Sequence, residues 1–126
     1  FISTGTNLSN LTFEAGDLSI LRDQFDGYND EHSLLLCVHG CKSLTHDSIE
    51  LAKKHNWAWL TLPCCLQAEN HFGEKTSMKV SDATRFAMLC GAIAAKYEPE
   101  MVTAIDSRIT GRGIILASSG KASMMQ

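Results

Sequence analysis

His39, Cys41, Cys64 and Cys65 are the residues of this chain whose types and spacing can do chemistry. His39 and Cys41 are two positions apart, so on an extended segment they share a side, and either the imidazole or the neighbouring Lys42 can favour a thiolate at Cys41. Such a pair can supply a nucleophilic cysteine, or, through His39, a general base toward a substrate hydroxyl. With Cys64 and Cys65 added, the four side chains are of the kind that tetrahedral zinc prefers. Against zinc, adjacent cysteines on a strand-end segment are expected to point to opposite sides, and no Cys-x2-Cys spacing occurs. The reading adopted is therefore metal-free, with Cys64 and Cys65 as small apolar fillers that let a ligand or backbone approach closely. His39 has the competing role of a buried histidine hydrogen-bonded at a strand end.

The elements that must position these residues are legible on either side of them. Leu34, Leu35, Leu36, Cys37 and Val38 form an unbroken apolar run, which predicts a parallel strand over residues 34–39, covered on both faces. His39, Gly40 and Cys41 follow at its carboxyl end, where open α/β sheets bind ligands. A helix comes next, with Ser43 as its cap, Asp47 and Glu50 toward its positive end, Lys53, Lys54 and His55 toward its negative end, and Asn56 as the exit residue. The second strand spans 57–62 and is stopped by Pro63, which lacks a backbone donor. If the two strands are neighbours, His39, Cys41, Cys64 and Cys65 crowd one rim of the sheet.

Farther along, Ser81 and Asp82 start a long helix whose apolar face is Phe86, Cys90, Ile93 and Tyr97, widened by Ala87 and Ala94 and ended by Glu98-Pro99. Gly91 inside it costs about 1 kcal/mol relative to Ala, which predicts close packing against the sheet. Residues 101–109 and 111–118 read as two strands joined by a turn over 110–113. Residues 119–126 read as a flexible tail.

His39-Gly40-Cys41-Lys42, Leu44-Thr45-His46-Asp47 and Pro63-Cys64-Cys65 together resemble the back half of a class I S-adenosylmethionine-dependent methyltransferase. The similarity is to families, among them the Trm13-type tRNA 2′-O-methyltransferases and related methyltransferase-like proteins, whose fourth strand ends His-x-Cys-Gly before Leu-Thr-Asp and whose fifth ends Pro-Cys-Cys or Cys-Cys-His. Lys42 stands where those families usually have Gly, and His46 is inserted before Asp47. The stretch 11–17, LTFEAGD, is similar to their third strand and acidic loop. The resemblance implies that Asp17 accepts from the adenine amino group of the cofactor beside the Leu18 backbone N–H. It further implies that His39, Gly40 and Cys41 line the methionine and methyl-transfer region, and that Pro63, Cys64 and Cys65 shape the acceptor side. The alternative for Asp17 is a plain Gly-Asp turn. Methyl transfer needs no covalent enzyme intermediate, because the sulfonium donor is already activated and the protein mainly aligns the reactants.

The fold expected from the resemblance is an α/β three-layer sandwich, a partial Rossmann-like methyltransferase fold whose mostly parallel sheet ends in an antiparallel hairpin, with strands at 11–14, 34–39, 57–62, 101–109 and 111–118. The Gly-rich cofactor loop and the strands around it are not found in the sequence, since residues 1–10 contain only Gly5. The 126 residues are thus expected to be the carboxyl-terminal portion of a longer domain, completed by a missing amino-terminal half or a partner chain. The 11–14 strand could then pair directly with 34–39. Two functions follow: a methyltransferase domain acting on an unidentified acceptor such as RNA, or a catalytically inactive methyltransferase-like accessory subunit of a larger assembly.

Composition limits these readings. A formal net charge of −3 gives no general attraction to nucleic acid, and Lys42, Lys53 and Lys54 read as a solvated helix face. No apolar stretch approaches the roughly 20 residues that span a bilayer. Five cysteines, an odd number, in an α/β-type sequence point to free thiols in a reducing intracellular compartment.

Overall fold

The computed structural model describes residues 9–24, 32–67, 72 and 77–120. Its centre is a four-stranded mixed sheet built from β1 (Leu34–Gly40), β2 (Ala58–Pro63), β3 (Met101–Ala104) and β4 (Ile114–Ser118) in the order β1-β2-β4-β3. β1 and β2 run parallel with Leu36 opposite Leu60, whereas β4 is antiparallel to both of its neighbours. The expected parallel pair and terminal antiparallel hairpin are both present, but two of the three strand pairings are antiparallel, so the described sheet is mixed rather than mostly parallel.

Between the parallel strands runs α2 (Leu44–Lys54), and between β2 and β3 runs α3 (Asp82–Tyr97). α2 stops where its carbonyls are capped by a left-handed exit at Asn56, φ 58°. Trp57 N–H donates back to Ala52 and Asn56 N–H to Lys53, the paired bonds of a Schellman motif. At its other end Ser43 is already helical and makes no side-chain cap; its hydroxyl donates instead to Asp47, 3.1 Å away. α3 is capped as expected, with Ser81 Oγ accepting from Thr84 N–H at 3.2 Å, and it ends at a left-handed Glu98 before Pro99.

Both helices lie on one face of the sheet. Ile49, Leu51 and Ala52 of α2 and Phe86, Leu89, Cys90, Ile93 and Tyr97 of α3 join Leu35, Cys37, Trp59 and Leu116 in a single core. The helices also touch each other, since Tyr97 Oη donates to Glu50 at 2.8 Å and contacts the His46 ring. Burial, then the Glu50 carboxylate and Asp47, push the Tyr97 phenol above its ordinary pKa. Ala87 is exposed and adds nothing to this face, and a Cβ at Gly91 would meet open space, so the tight packing expected there is not found. Leu89, which the spacing argument passed over, is fully buried.

The sheet is not covered on both faces among the described residues. β1 alternates, with Leu35 and Cys37 buried and Leu34, Leu36 and Val38 between 56% and 60% exposed. The cross-strand row Leu36, Leu60, Ala117 and Met101 carries that open apolar face across the sheet. An unbroken run of Leu and Val is what a doubly covered strand needs, but it does not itself supply the second layer.

Other strand expectations are corrected. Residues 11–14 form no strand and do not pair with β1; Leu11 and Phe13 are 60% and 71% exposed. The hairpin strands are shorter than expected, because Asp106 breaks the first one. Its carboxylate takes the Arg108 backbone N–H at 2.8 Å, its carbonyl takes that of Ile109, and the chain returns through a 105–113 loop rather than a tight turn. Ser119 hydroxyl donates to Glu100, and a Cβ on Gly120 would fall 2.3 Å from the Asn56 carbonyl, so the chain is packed this far past β4. The rest of the expected tail, and most of residues 1–10, lie outside the described residues. Among those described, no helix is long and apolar enough to cross a membrane.

Candidate functional site

The carboxyl ends of β1 and β2 and the amino ends of α2 and α3 meet at one rim of the sheet, and the chemistry-bearing residues collect there. Parallel pairing brings the two strand ends together, with Gly40 opposite Pro63. The register slips between Val38 and Gly40, leaving His39 as a bulged residue in the left-handed region at φ 57°. His39 is exposed, which removes the buried-histidine role and leaves its ring at the surface.

Gly40 is buried against α2. A Cβ there would lie 2.5 Å from Thr45 Oγ1 and 2.6 Å from Cys37 Sγ, while its carbonyl accepts from the Thr45 hydroxyl at 3.0 Å. Glycine at this position thus lets the helix start close to the strand end.

Lys42 also has a left-handed backbone, φ 56°, and its N–H donates to the Cys65 carbonyl at 2.8 Å. That bond ties the loop after β1 to the loop after β2. The left-handed region penalises any side chain with a Cβ, so Lys42 holds this position at a cost in backbone strain.

Cys41, Cys64 and Cys65 bring their sulfur atoms within 4.8 Å of one another. Cys64 and Cys65 do not point apart: their Sγ atoms are 3.5 Å from each other. The alternation expected of a strand fails because β2 ends at Pro63, so both cysteines lie on an irregular bend. Nor are both fillers, since Cys65 and Cys41 are exposed and Cys64 is half-buried. The Cys65 thiol hydrogen bond, then burial and the Cys41 thiol, push the Cys64 pKa up to about 11. His39 is not a member of this three-sulfur group.

Two arginines that the sequence reading did not single out hold this rim. Arg112 donates to the Cys64 carbonyl at 3.0 Å and to the Asp82 carboxylate, with its guanidinium over the Phe86 ring. Arg85 donates to the Leu66 carbonyl at 3.1 Å. No spacing rule marks these residues, because their partners are backbone carbonyls distant in sequence.

Asp17 and Leu18 lie across a cavity from Cys41 and Lys42. The cavity, about 820 Å³, is lined by Asp17, Leu18 and Arg22 on one side and by Cys41, Lys42 and Asp47 on the other. Ligand pockets typically run from about 300 to 1,000 Å³. Asp17 Oδ1 accepts from the Ser19 hydroxyl and, at 2.9 Å, from the Ser19 N–H, so it also caps the short α1 (Ser19–Gln24). The Ser19 hydroxyl, then its N–H, holds the Asp17 pKa below the usual carboxylate value. Leu18 packs against the core. A second cavity, about 510 Å³, separates the same segment from Leu36 and Val38 of β1. His39 and Gly40 line neither cavity, so the structure joins Asp17 and Leu18 to Cys41 but not to the other two expected cofactor residues.

In comparisons with protein-family models, curated proteins and solved structures, no match to the chain is found.

Proposed function

We propose that this chain is part of an S-adenosylmethionine-dependent methyltransferase domain, with the cofactor on the Asp17 side of the rim and the methyl acceptor on the Cys64–Cys65 side. The observation that carries the reading is the cavity shared by Asp17, Leu18, Cys41 and Lys42. The acidic loop and the Cys41-Lys42 pair, far apart in sequence, both line it, which supports the reading. The order β1-β2-β4-β3, a parallel pair followed by an antiparallel hairpin, adds support, as does the left-handed backbone of Lys42 at the family's glycine position.

In this reading the ionised Asp17 carboxylate accepts from the adenine amino group. Cys41 sits beside the donor and His39, exposed at the bulge, takes the proton of an acceptor hydroxyl as the methyl group moves. Nothing in the charge favours RNA over another acceptor. The third layer of the expected sandwich would cover the open face of the sheet.

Calorimetric titration of the full-length protein with S-adenosylmethionine and with its demethylated product tests this. Saturable heat with both ligands is expected, with affinity falling at least about tenfold, or about 1.4 kcal/mol, in Asp17→Ala. A folded protein that gives no heat with either ligand would overturn the proposal.

Two observations favour a second reading, a catalytically inactive subunit completed by a partner: the uncovered apolar face and the unpaired outer edge of β1 among the described residues. Size-exclusion chromatography with light scattering separates the two. A well-behaved monomer of this chain would count against the partner.

A further inference from the structure

We propose that Cys41, Cys64 and Cys65 form a three-thiolate site for Zn²⁺, with the fourth coordination position open. Neither the methyltransferase reading nor the accessory reading is needed for this, since it rests on the sulfur geometry alone. In a tetrahedral site with Zn–S bonds near 2.3 Å, neighbouring sulfurs lie about 3.8 Å apart. Here Cys64 and Cys65 are already at 3.5 Å, and all three pairs fall within 4.8 Å. Small rotations of exposed side chains would close the remaining difference.

The scaffold beneath the sulfurs is fixed independently of any metal. Lys42 N–H to the Cys65 carbonyl holds the two loops in register, and Arg112 anchors the Cys64 carbonyl to the start of α3. A site whose backbone is tied in this way loses little conformational freedom when a cation enters. Each thiol would give up its proton to solvent on binding, and the cation would relieve the repulsion between adjacent thiolates. Three soft sulfur donors select Zn²⁺ and other thiophilic cations over Mg²⁺ or Ca²⁺. Among the described residues no fourth Cys, His, Asp or Glu joins the group. A tetrahedral cation therefore keeps one position for water or an incoming donor, as reactive zinc sites do.

The test uses the reduced, metal-free full chain, titrated with Zn²⁺ against a chromogenic chelator and, in parallel, with Co²⁺ as a spectroscopic substitute. The expected results are one Zn²⁺ per chain and a thiolate-to-cobalt charge-transfer band. Cys41→Ser and Cys65→Ser, both at exposed positions, should each weaken binding by more than about tenfold, which is what even an outer-shell partner of a metal can cost. Cys37→Ala, which removes a thiol buried in the core, should bind as the wild type does. Zinc left entirely with the chelator by a chain that is folded by circular dichroism would overturn the site. So would binding that survives Cys41→Ser and Cys65→Ser unchanged, or that Cys37→Ala abolishes while the fold persists.

Discussion

The two faces of the sheet are built from the same kinds of residue and differ in what lies over them. On one face Leu35, Cys37, Trp59 and Leu116 are packed beneath α2 and α3; on the other Leu34, Leu36 and Val38 stay more than half exposed. Apolar composition states that a strand can be buried on a face, but only the connecting elements decide whether it is. A corresponding contrast separates the core from the rim. The core is held by nonspecific apolar contact, whereas the rim is held by a few directed bonds around the left-handed residues His39 and Lys42.

The sharpest way to break the first contrast is to remove equal volumes from the two faces. Leu89→Ala, at a fully buried position, should cost about 2–5 kcal/mol in chemical denaturation, a large share of the stability of a marginal domain. Leu36→Ala, on the open face, should change stability by no more than about 0.5 kcal/mol. If Leu36→Ala also cost several kcal/mol, something would have to cover that face in solution.

The rim offers a second, smaller test. Gly40→Ala should cost about 1–3 kcal/mol, because the new methyl would overlap Thr45 Oγ1 and Cys37 Sγ. A neutral outcome in thermal melts would mean that α2 does not start so close to β1.

A third substitution acts inside the covered face, where polarity rather than volume is at issue. Thr61 Oγ1 is buried with no hydrogen-bond partner among the described residues. Thr61→Val keeps the shape and removes the stranded hydroxyl, so it should stabilise by about 1 kcal/mol and raise the melting temperature. Destabilisation would instead show that the hydroxyl is bonded.

A further small gain is expected at the left-handed rim. Lys42→Gly relieves a penalty of about 1–2 kcal/mol but adds unfolded-state entropy of about 0.5–1 kcal/mol, leaving a net gain of about 0.5–1 kcal/mol in equilibrium denaturation. A loss on substitution would mean that the Lys42 side chain contributes more than its backbone strain costs.

How far the sequence revealed this molecule follows the range of the forces involved. α2, α3 and the parallel pairing of β1 and β2 were legible because charge placement, Pro63 and apolar spacing act within a few residues. The failures were non-local or had competing local chemistry. Residues 11–14 alternate like a strand but have no strand beside them among the described residues. Asp106 captures its own neighbours and shortens β3, and Pro63 ends the alternation that would have separated Cys64 from Cys65. The strand ends do bring Cys41, Cys64 and Cys65 together, while His39 stays outside that group. The bulge that exposes His39, and the arginines that pin the loops from afar, leave no local signature.

The proposed function rests on the Asp17 loop and the loop after β1 together holding a methyl donor. Amide hydrogen exchange of the full-length protein, followed by mass spectrometry with and without the demethylated cofactor, tests it most directly. Slowed exchange is expected to be confined to residues 17–22 and 41–47, the two sides of the shared cavity. Unchanged exchange in both segments at saturating ligand, or protection only elsewhere in the chain, would contradict it.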